Sequence, residues 1–332
     1  MSREALAVAV GGATSIVGEE IVRLLGDRQL PIAEVRALGT ARTAGRRVET
    51  ATIGLVGPGA FTGIDLAFFA AGPTVASTYV PDAVRAGATV IDCSSRFRLD
   101  DGVPLVVPEV NAALLADAGS LLASPSSTAV GLAVVLAPLA EVAGLRRVVV
   151  STYQSAAGAG RRAVERLSKE SIGLLSGQGD DDVELRRAFN CVPQVGTIEA
   201  DGITSHERAI VAEVRKVLGL DALRMQVTAV RVPMFFGMAA SVSVELERPL
   251  DRAAASALLR GGRGLFVHDD GDPVGLPTPA DVVGSQATHV GRVREDPSVP
   301  NGLALWITLD SIEKGAALNA VQIGEILIRR AA

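Results

Sequence analysis

Aromatic residues are scarce in this chain of 332 residues: one Trp, two Tyr and eight Phe. Their scarcity removes the stacking platforms on which single-stranded nucleic acids bind. A net charge of −5 offers no basic footprint for a duplex either, so no nucleic-acid partner is expected. The only cysteines, Cys93 and Cys191, are too few and too far apart for a disulfide framework and fit a reducing, cytoplasmic setting. Three histidines (His206, His268 and His289) have no ligand spacing, and CxxC and HxxxH are absent; no metal site is expected. The longest apolar run, Ala129 to Leu139, contains Pro138 and stops before Glu141. It falls short of the ~20 residues that cross a bilayer, so no membrane association is expected. The start, "MSREALAVAVGG", puts an acid before a short apolar run and has no small-residue cleavage pattern, which argues against a secretory leader.

What is present is an alternation. "ALAVAV" (5–10) is all apolar and suits a strand buried on both faces. Glycines follow, then "EEIVRLLGDR", whose Ile21, Val22, Leu24 and Leu25 form one helix face. "EVRALGT" (34–40), "IDLAFFAAG" (64–72) and "ATVIDCSS" (88–95) read as further strands, with the helical "VASTYVPDAVRAG" before the last. This pattern predicts a parallel α/β sheet. After about residue 145 the texture changes. "LRRVVVSTYQSAAGAG" and "MQVTAVRVPMFFGMAASVSVELERPL" predict longer strands in an open-faced mixed sheet. "SHERAIVAEVRKVLG" (205–219) reads as a helix capped by Ser205, "GQGDDDVELRR" (177–187) as a loop leading into a short helix, and "KGAALNAVQIGEILIRRAA" as a helix with a small-residue face.

"VAVGGATSIVGEE" follows a strand and opens a helix, as a dinucleotide-binding fingerprint does. Gly12 permits the turn and Gly18 lets helix and strand approach. Thr14, Ser15, Ile16 and Val17 complete the cofactor loop, and Ser15 stands where a three-glycine pattern has glycine. The second strand ends in "GTARTAGRR", with Thr40 and Arg42 and no acid. An acid there would hold the ribose 2′-hydroxyl of NAD, whereas arginine suits the 2′-phosphate of NADP. The expected cofactor is NADP; a tight turn without a ligand is the alternative.

"LLASPSSTAVGLAVVLAPL" puts Ser126 and Ser127 at the start of an apolar helix. That place suits a nucleophile or an anion, and it is also an ordinary N-cap. "SPSST" is not a G-x-S-x-G elbow. Cys93 and Cys191 read as small buried hydrophobes rather than nucleophiles.

Taken together, "GGATSIVG", "ARTAGRR", "VIDCSSRFRLDDGVPLVVPEVN", "STYQSAAGAG", "RAFNCVPQVG", "VRVP", "VGRVR" and "KGAALNAVQIGE" resemble the aspartate-semialdehyde dehydrogenase family. They lie in the family's order and span nearly the whole chain. The resemblance implies an α/β fold with two domains. A Rossmann-like NAD(P)-binding domain takes residues 1–127 and 315–332, and an α+β dimerisation and substrate domain takes 128–314. It implies an NADP-dependent reaction in amino-acid biosynthesis, in which a cysteine attacks an aldehyde, hydride passes to NADP and phosphate cleaves the thioester. It also implies a homodimer or homotetramer.

The working parts match unevenly. The nucleophile position is Ser127, the histidine base position Met238 and the substrate-lysine position Ala209. Gln154, which orients substrate beside the nucleophile, is retained. So are Arg98 for phosphate, Arg231 for the substrate carboxylate, Glu207 of the substrate site, and Lys314, Gly315 and Asn319 near the nicotinamide. The pattern resembles the Usg-type relatives, which share the fold and lack the cysteine. It implies a catalytically degenerate protein that keeps NADP binding or dimerisation, including hetero-association with an active dehydrogenase. The alternative is an active NADP-dependent oxidoreductase on an altered aldehyde or acyl-phosphate substrate.

Overall fold

The computed structural model describes residues 5–49, 51–178, 185–268 and 275–331. The chain forms two compact units: Met1–Val130 with Gly315–Ala332, and Gly131–Lys314.

In the first unit, β1 (Leu6–Gly11) leads through a glycine turn into α1 (Ile16–Asp27) and β2 (Ile32–Gly39). A small hairpin, β3 (Arg47–Val48) and β4 (Ala51–Thr52), precedes β5 (Gly54–Leu55) and β6 (Leu66–Phe69). Then come α2 (Pro73–Arg85), β7 (Thr89–Asp92), the short α3 (Pro108–Asn111) and β8 (Leu121–Ala123). The sheet order is β5-β2-β1-β6-β7-β8, and every pair is parallel. This is the doubly wound order, in which the strand order reverses between β1 and β6 and opens a crevice at their carboxyl ends. Val8 and Val10 on one face of β1, and Ala9 on the other, are fully buried, as a strand covered by helices on both sides requires. The C-terminal helix, Leu318–Ala331, belongs to this unit. Its small face has a packing reason: a Cβ on Gly324 would meet the Phe68 ring at 2.6 Å.

α4 (Ser127–Ala143) begins in the first unit and continues into the second. There follow β9 (Leu145–Gln154), α5 (Arg161–Leu175), α6 (Ser205–Leu218), β10 (Arg224–Arg231) and β11 (Met238–Leu246). α7 (Arg252–Arg260), β12 (Leu265–Val267), β13 (Thr288–Asp296) and β14 (Gly302–Leu309) complete the unit. The sheet order is β10-β9-β11-β14-β13-β12, with parallel pairs at both edges and antiparallel pairs between. β9 and β11 alternate between buried and half-buried residues, the signature of a sheet packed on one face. The packed face carries Val148, Val150, Thr152 and Gln154. Gly131 of α4 approaches it so closely that a Cβ would meet Leu309 at 2.8 Å.

Three local expectations change. Thr204, not Ser205, caps α6, because its side chain accepts from the Glu207 N–H in a reciprocal capping box; the Ser205 hydroxyl instead accepts from the Thr197 N–H. The C-terminal segment opens with a π-turn over Glu313–Ala317 before the α-helix begins. Residues 179–184 of the polar 177–187 segment lie outside the described residues, and no helix forms at 185–190. Among the described residues, no helix is long and apolar enough to cross a membrane.

Candidate functional site

In the first unit the glycine loop sits at the carboxyl end of β1. Gly12 has φ +77°, and a Cβ there would meet the Ala70 carbonyl oxygen at 2.8 Å. A Cβ on Gly18 would press into the Gly12 carbonyl, so both positions demand glycine. Ser15 is the N-cap of α1. Its hydroxyl donates to the Ala70 carbonyl at 2.7 Å and accepts from the Gly18 N–H at 2.9 Å. Ile16 and Val17 lead the helix behind it, half-buried like Thr14. The loop joins the end of β2, since the Gly12 and Ala13 N–H groups both donate to the Leu38 carbonyl. Thr40 and Arg42 lie exposed on the turn that follows.

The Ser124–Ser127 turn is built from below. Ser124 is fully buried; its N–H donates to the Asp92 carbonyl, its carbonyl accepts from Arg98 Nε at 2.9 Å, and its hydroxyl accepts from Asn319 Nδ2 at 2.8 Å. Arg98 also donates from Nη2 to the Cys93 carbonyl. Ser126 is the residue before α4, and its carbonyl accepts from the Val130 N–H at 2.9 Å. Ser127 is the first helical residue and is half-buried. Nearby, burial and the Asp92 carboxylate push the Cys93 thiol up to about 12, so it is protonated and inert at neutral pH. Asp92 is itself raised by burial, against hydrogen bonds from Ser94.

Asn319 is fully buried, and its Oδ1 has no hydrogen-bond partner while Nδ2 serves Val106 and Ser124. An acceptor left over in this way matches a donor the chain does not supply. With the close-packed glycine turn, it fits the nicotinamide dinucleotide.

In the second unit, three strands bring their ends into line. Gln154 on β9 is in register with Arg231 on β10 and with Met238 on β11. Met238 is buried at 3% exposure and Gln154 at 7%. Arg231 donates to the Ser155 carbonyl, and burial, with Arg187 nearby, lowers its pKa. α6 packs over this end. Glu207 is turned into the structure: its Oε2 accepts from the Thr204 N–H at 2.8 Å and its Oε1 from the Ala229 N–H at 2.7 Å. The neighbouring His206 brings Nε2 to 3.1 Å from Gln154 Nε2. Ala209 lies three residues on, on the same helical face.

His206 has no ligand spacing in the sequence, and only the fold brings it beside Gln154. The other two histidines are elsewhere on the sheet. His268 follows β12 and His289 lies on β13, their ring nitrogens 2.9 Å apart, at the edge opposite β10. Among the described residues, no group of three or more His, Cys, Asp or Glu could hold a metal ion.

Comparison with known proteins agrees with this architecture. Residues 7–118 match the semialdehyde dehydrogenase NAD binding domain, and 136–314 match the semialdehyde dehydrogenase dimerisation domain. The chain is 37% identical over 330 residues to the aspartate-semialdehyde dehydrogenase of Rickettsia bellii, and 36% identical over 338 residues to that of Bacillus subtilis. In both cases the match covers 97% of each chain. A probable aspartate-semialdehyde dehydrogenase from Pseudomonas aeruginosa is 36% identical with a TM-score of 0.93, over 99% of this chain and all of the other. The chain belongs to the aspartate-semialdehyde dehydrogenase family. Within that family's two domains, the NAD binding domain contains the glycine loop and Arg98. The dimerisation domain contains Gln154, His206, Glu207, Ala209, Arg231 and Met238.

Proposed function

We propose that this chain is an NADP(H)-binding member of the aspartate-semialdehyde dehydrogenase family that has given up the covalent thiol cycle while keeping a pole for a small anionic ligand. The observation that carries the reading is Ser127, a hydroxyl at the head of a buried helix where the family's chemistry needs a thiolate. A thiol is a few per cent ionised at neutral pH, whereas a serine hydroxyl needs an adjacent base. Met238 at the base position is a buried thioether and cannot take a proton. Cys93 cannot substitute, since its thiol is held protonated.

NADP is preferred over NAD by Thr40 and Arg42 on the turn after β2, where no acid is present. The cofactor supplies or accepts hydride when bound. The chain's own part is to cradle its phosphates at Gly12–Gly18 and to face it with the Asn319 amide. The less buried face of the second sheet supports self-association. Ser151, Tyr153, Ser241 and Trp306 share that face by register, and the Tyr153 and Trp306 rings meet tilted by 38° with centroids 5.5 Å apart.

A second reading, an active oxidoreductase on an altered substrate, draws on His206 beside Gln154, which returns a titratable group to the second unit. NADP reduction with aspartate semialdehyde and phosphate decides between the two, run beside the Ser127→Cys/Met238→His/Ala209→Lys variant. We expect a silent wild type and a variant that gains turnover. Turnover by the wild type, lost in Gln154→Ala, would overturn the degenerate reading in favour of the second.

A further inference from the structure

We propose that Ser285, His289 and His268 form a second, hydrolytic site for small aryl esters, with Ser285 as nucleophile, His289 as its base and His268 as a positioning residue.

The three side chains are joined in series. Ser285 Oγ lies 2.7 Å from His289 Nε2, and His289 Nδ1 lies 2.9 Å from His268 Nε2. The Ala287 N–H donates to Ser285 Oγ at 3.3 Å, which engages the oxygen as an acceptor and turns its O–H toward the imidazole. One tautomer then satisfies every contact. His289 Nε2 accepts from the hydroxyl, and its Nδ1–H donates to His268 Nε2. Nucleophile, base and orienting acceptor in this order are the pattern by which such relays are recognised on unrelated folds. Burial, and then His268, lower the pKa of His289, so its ring is neutral and able to take a proton at neutral pH.

The turn that carries Ser285 has other anchors. The Ser285 N–H donates to the Val282 carbonyl, the Gly284 N–H to Asp310 Oδ2 and the Gln286 amide to Glu313 Oε1. The serine hydroxyl is therefore not what holds the loop. Ser285 is half-buried, so its oxygen is within reach of solvent. Phe266 on β12 is in register with His289 on β13. Its ring centroid is 4.9 Å from that of His268 and 5.3 Å from that of His289, and the residue is 54% exposed. An open aromatic ring beside the base suits an aromatic leaving group. The site lies at the β12 edge of the sheet, opposite the β10 edge.

The chemistry balances within these groups and water. Ser285 Oγ bonds to the acyl carbon as its proton passes to His289 Nε2. The ester C–O bond breaks, and the departing phenolate oxygen takes that proton. Water then adds to the acyl carbon, its proton passing through His289 to the leaving serine oxygen. A carboxylic acid and a phenol result, with no change of oxidation state. Aryl esters are the matching class because a phenolate leaves readily. The relay need supply only general-base help, worth about 10²–10⁴-fold, rather than the oxyanion stabilisation that an amide demands.

The test uses the full chain with para-nitrophenyl acetate and, separately, a fluorophosphonate probe whose attachment is mapped by peptide mass spectrometry. The probe should attach to Ser285. Ser285→Ala should lose both labelling and ester hydrolysis while keeping the wild-type melting temperature and NADPH binding. His289→Gln should lower kcat about 10²-fold. His268→Ala should lower kcat with KM unchanged, and His268→Gln, which returns an acceptor near the Nε2 position, should restore it. Hydrolysis by Ser285→Ala at the wild-type rate overturns the proposal, as does a label on another serine or no label at all. Equal kcat in wild type and His289→Gln overturns it too, since the serine would then act without its base. If His268→Ala matches the wild type, the positioning role of His268 is refuted.

Discussion

Glu207 makes the most demanding test of the second unit's architecture. The residue is 8% exposed, and its carboxylate accepts two backbone N–H bonds, from Ala229 at 2.7 Å and from Thr204 at 2.8 Å. One joins α6 to β10, and the other closes the capping box. Hydrogen bonds to a charged group contribute about 1.5–3 kcal/mol each, and an orphaned buried donor costs about 1–3 kcal/mol. Glu207→Gln keeps one carbonyl oxygen and turns an NH2 against the other N–H, so it should lose about 2–4 kcal/mol. Thr204→Ala removes only the longer reciprocal bond, at 3.2 Å, and should lose about 1 kcal/mol. Urea unfolding at neutral pH reads the totals. Hydrogen exchange at the Ala229 amide reads the individual bond, with protection falling in Glu207→Gln and persisting in Thr204→Ala. A Glu207→Gln protein within about 0.5 kcal/mol of the wild type, with Ala229 still protected, would refute the assignment and return Glu207 to the pool of ligand-binding groups.

Other consequences are simpler to check. In the native protein a thiol reagent at neutral pH should label Cys191, which is exposed, and spare Cys93; denaturant should then release the second thiol. Ser15→Gly removes the hydroxyl that takes the Gly18 N–H. It should tighten NADPH binding by fluorescence titration while lowering stability by only a few tenths of a kcal/mol, about the difference between serine and glycine caps. His289 has its pKa lowered by burial and by His268. The unfolded chain therefore binds more protons, and stability falls as pH drops through the imidazole range. His289→Gln should flatten that acid limb in thermal melts across mildly acidic pH.

Much of the fold was legible in the residues themselves. The all-apolar run at 5–10 became a strand buried on both faces, because a parallel strand under two helix layers leaves no room for polar alternation. The alternating runs after residue 145 became a sheet packed on one face. The glycine loop was legible because a tight turn and a close helix approach admit little else at Gly12 and Gly18. The residues proposed here for the nucleophile, base and lysine positions, Ser127, Met238 and Ala209, carry no thiol, imidazole or ammonium, and that much is a matter of composition. What the fold alone decided was direction. Consecutive residues on a helix point about 100° apart, so choosing between His206 and Glu207 as the residue facing Gln154 is beyond a motif match. The Ala229 N–H, contributed by a strand twenty-two residues downstream, draws Glu207 inward and leaves His206 toward Gln154. The cap of α6 turned on the same kind of contact: Thr197 engages Ser205 and leaves Thr204 to begin the helix. Composition determined which chemical groups this protein possesses. Long-range hydrogen bonds and strand register, which no local pattern encodes, determined which of them meet.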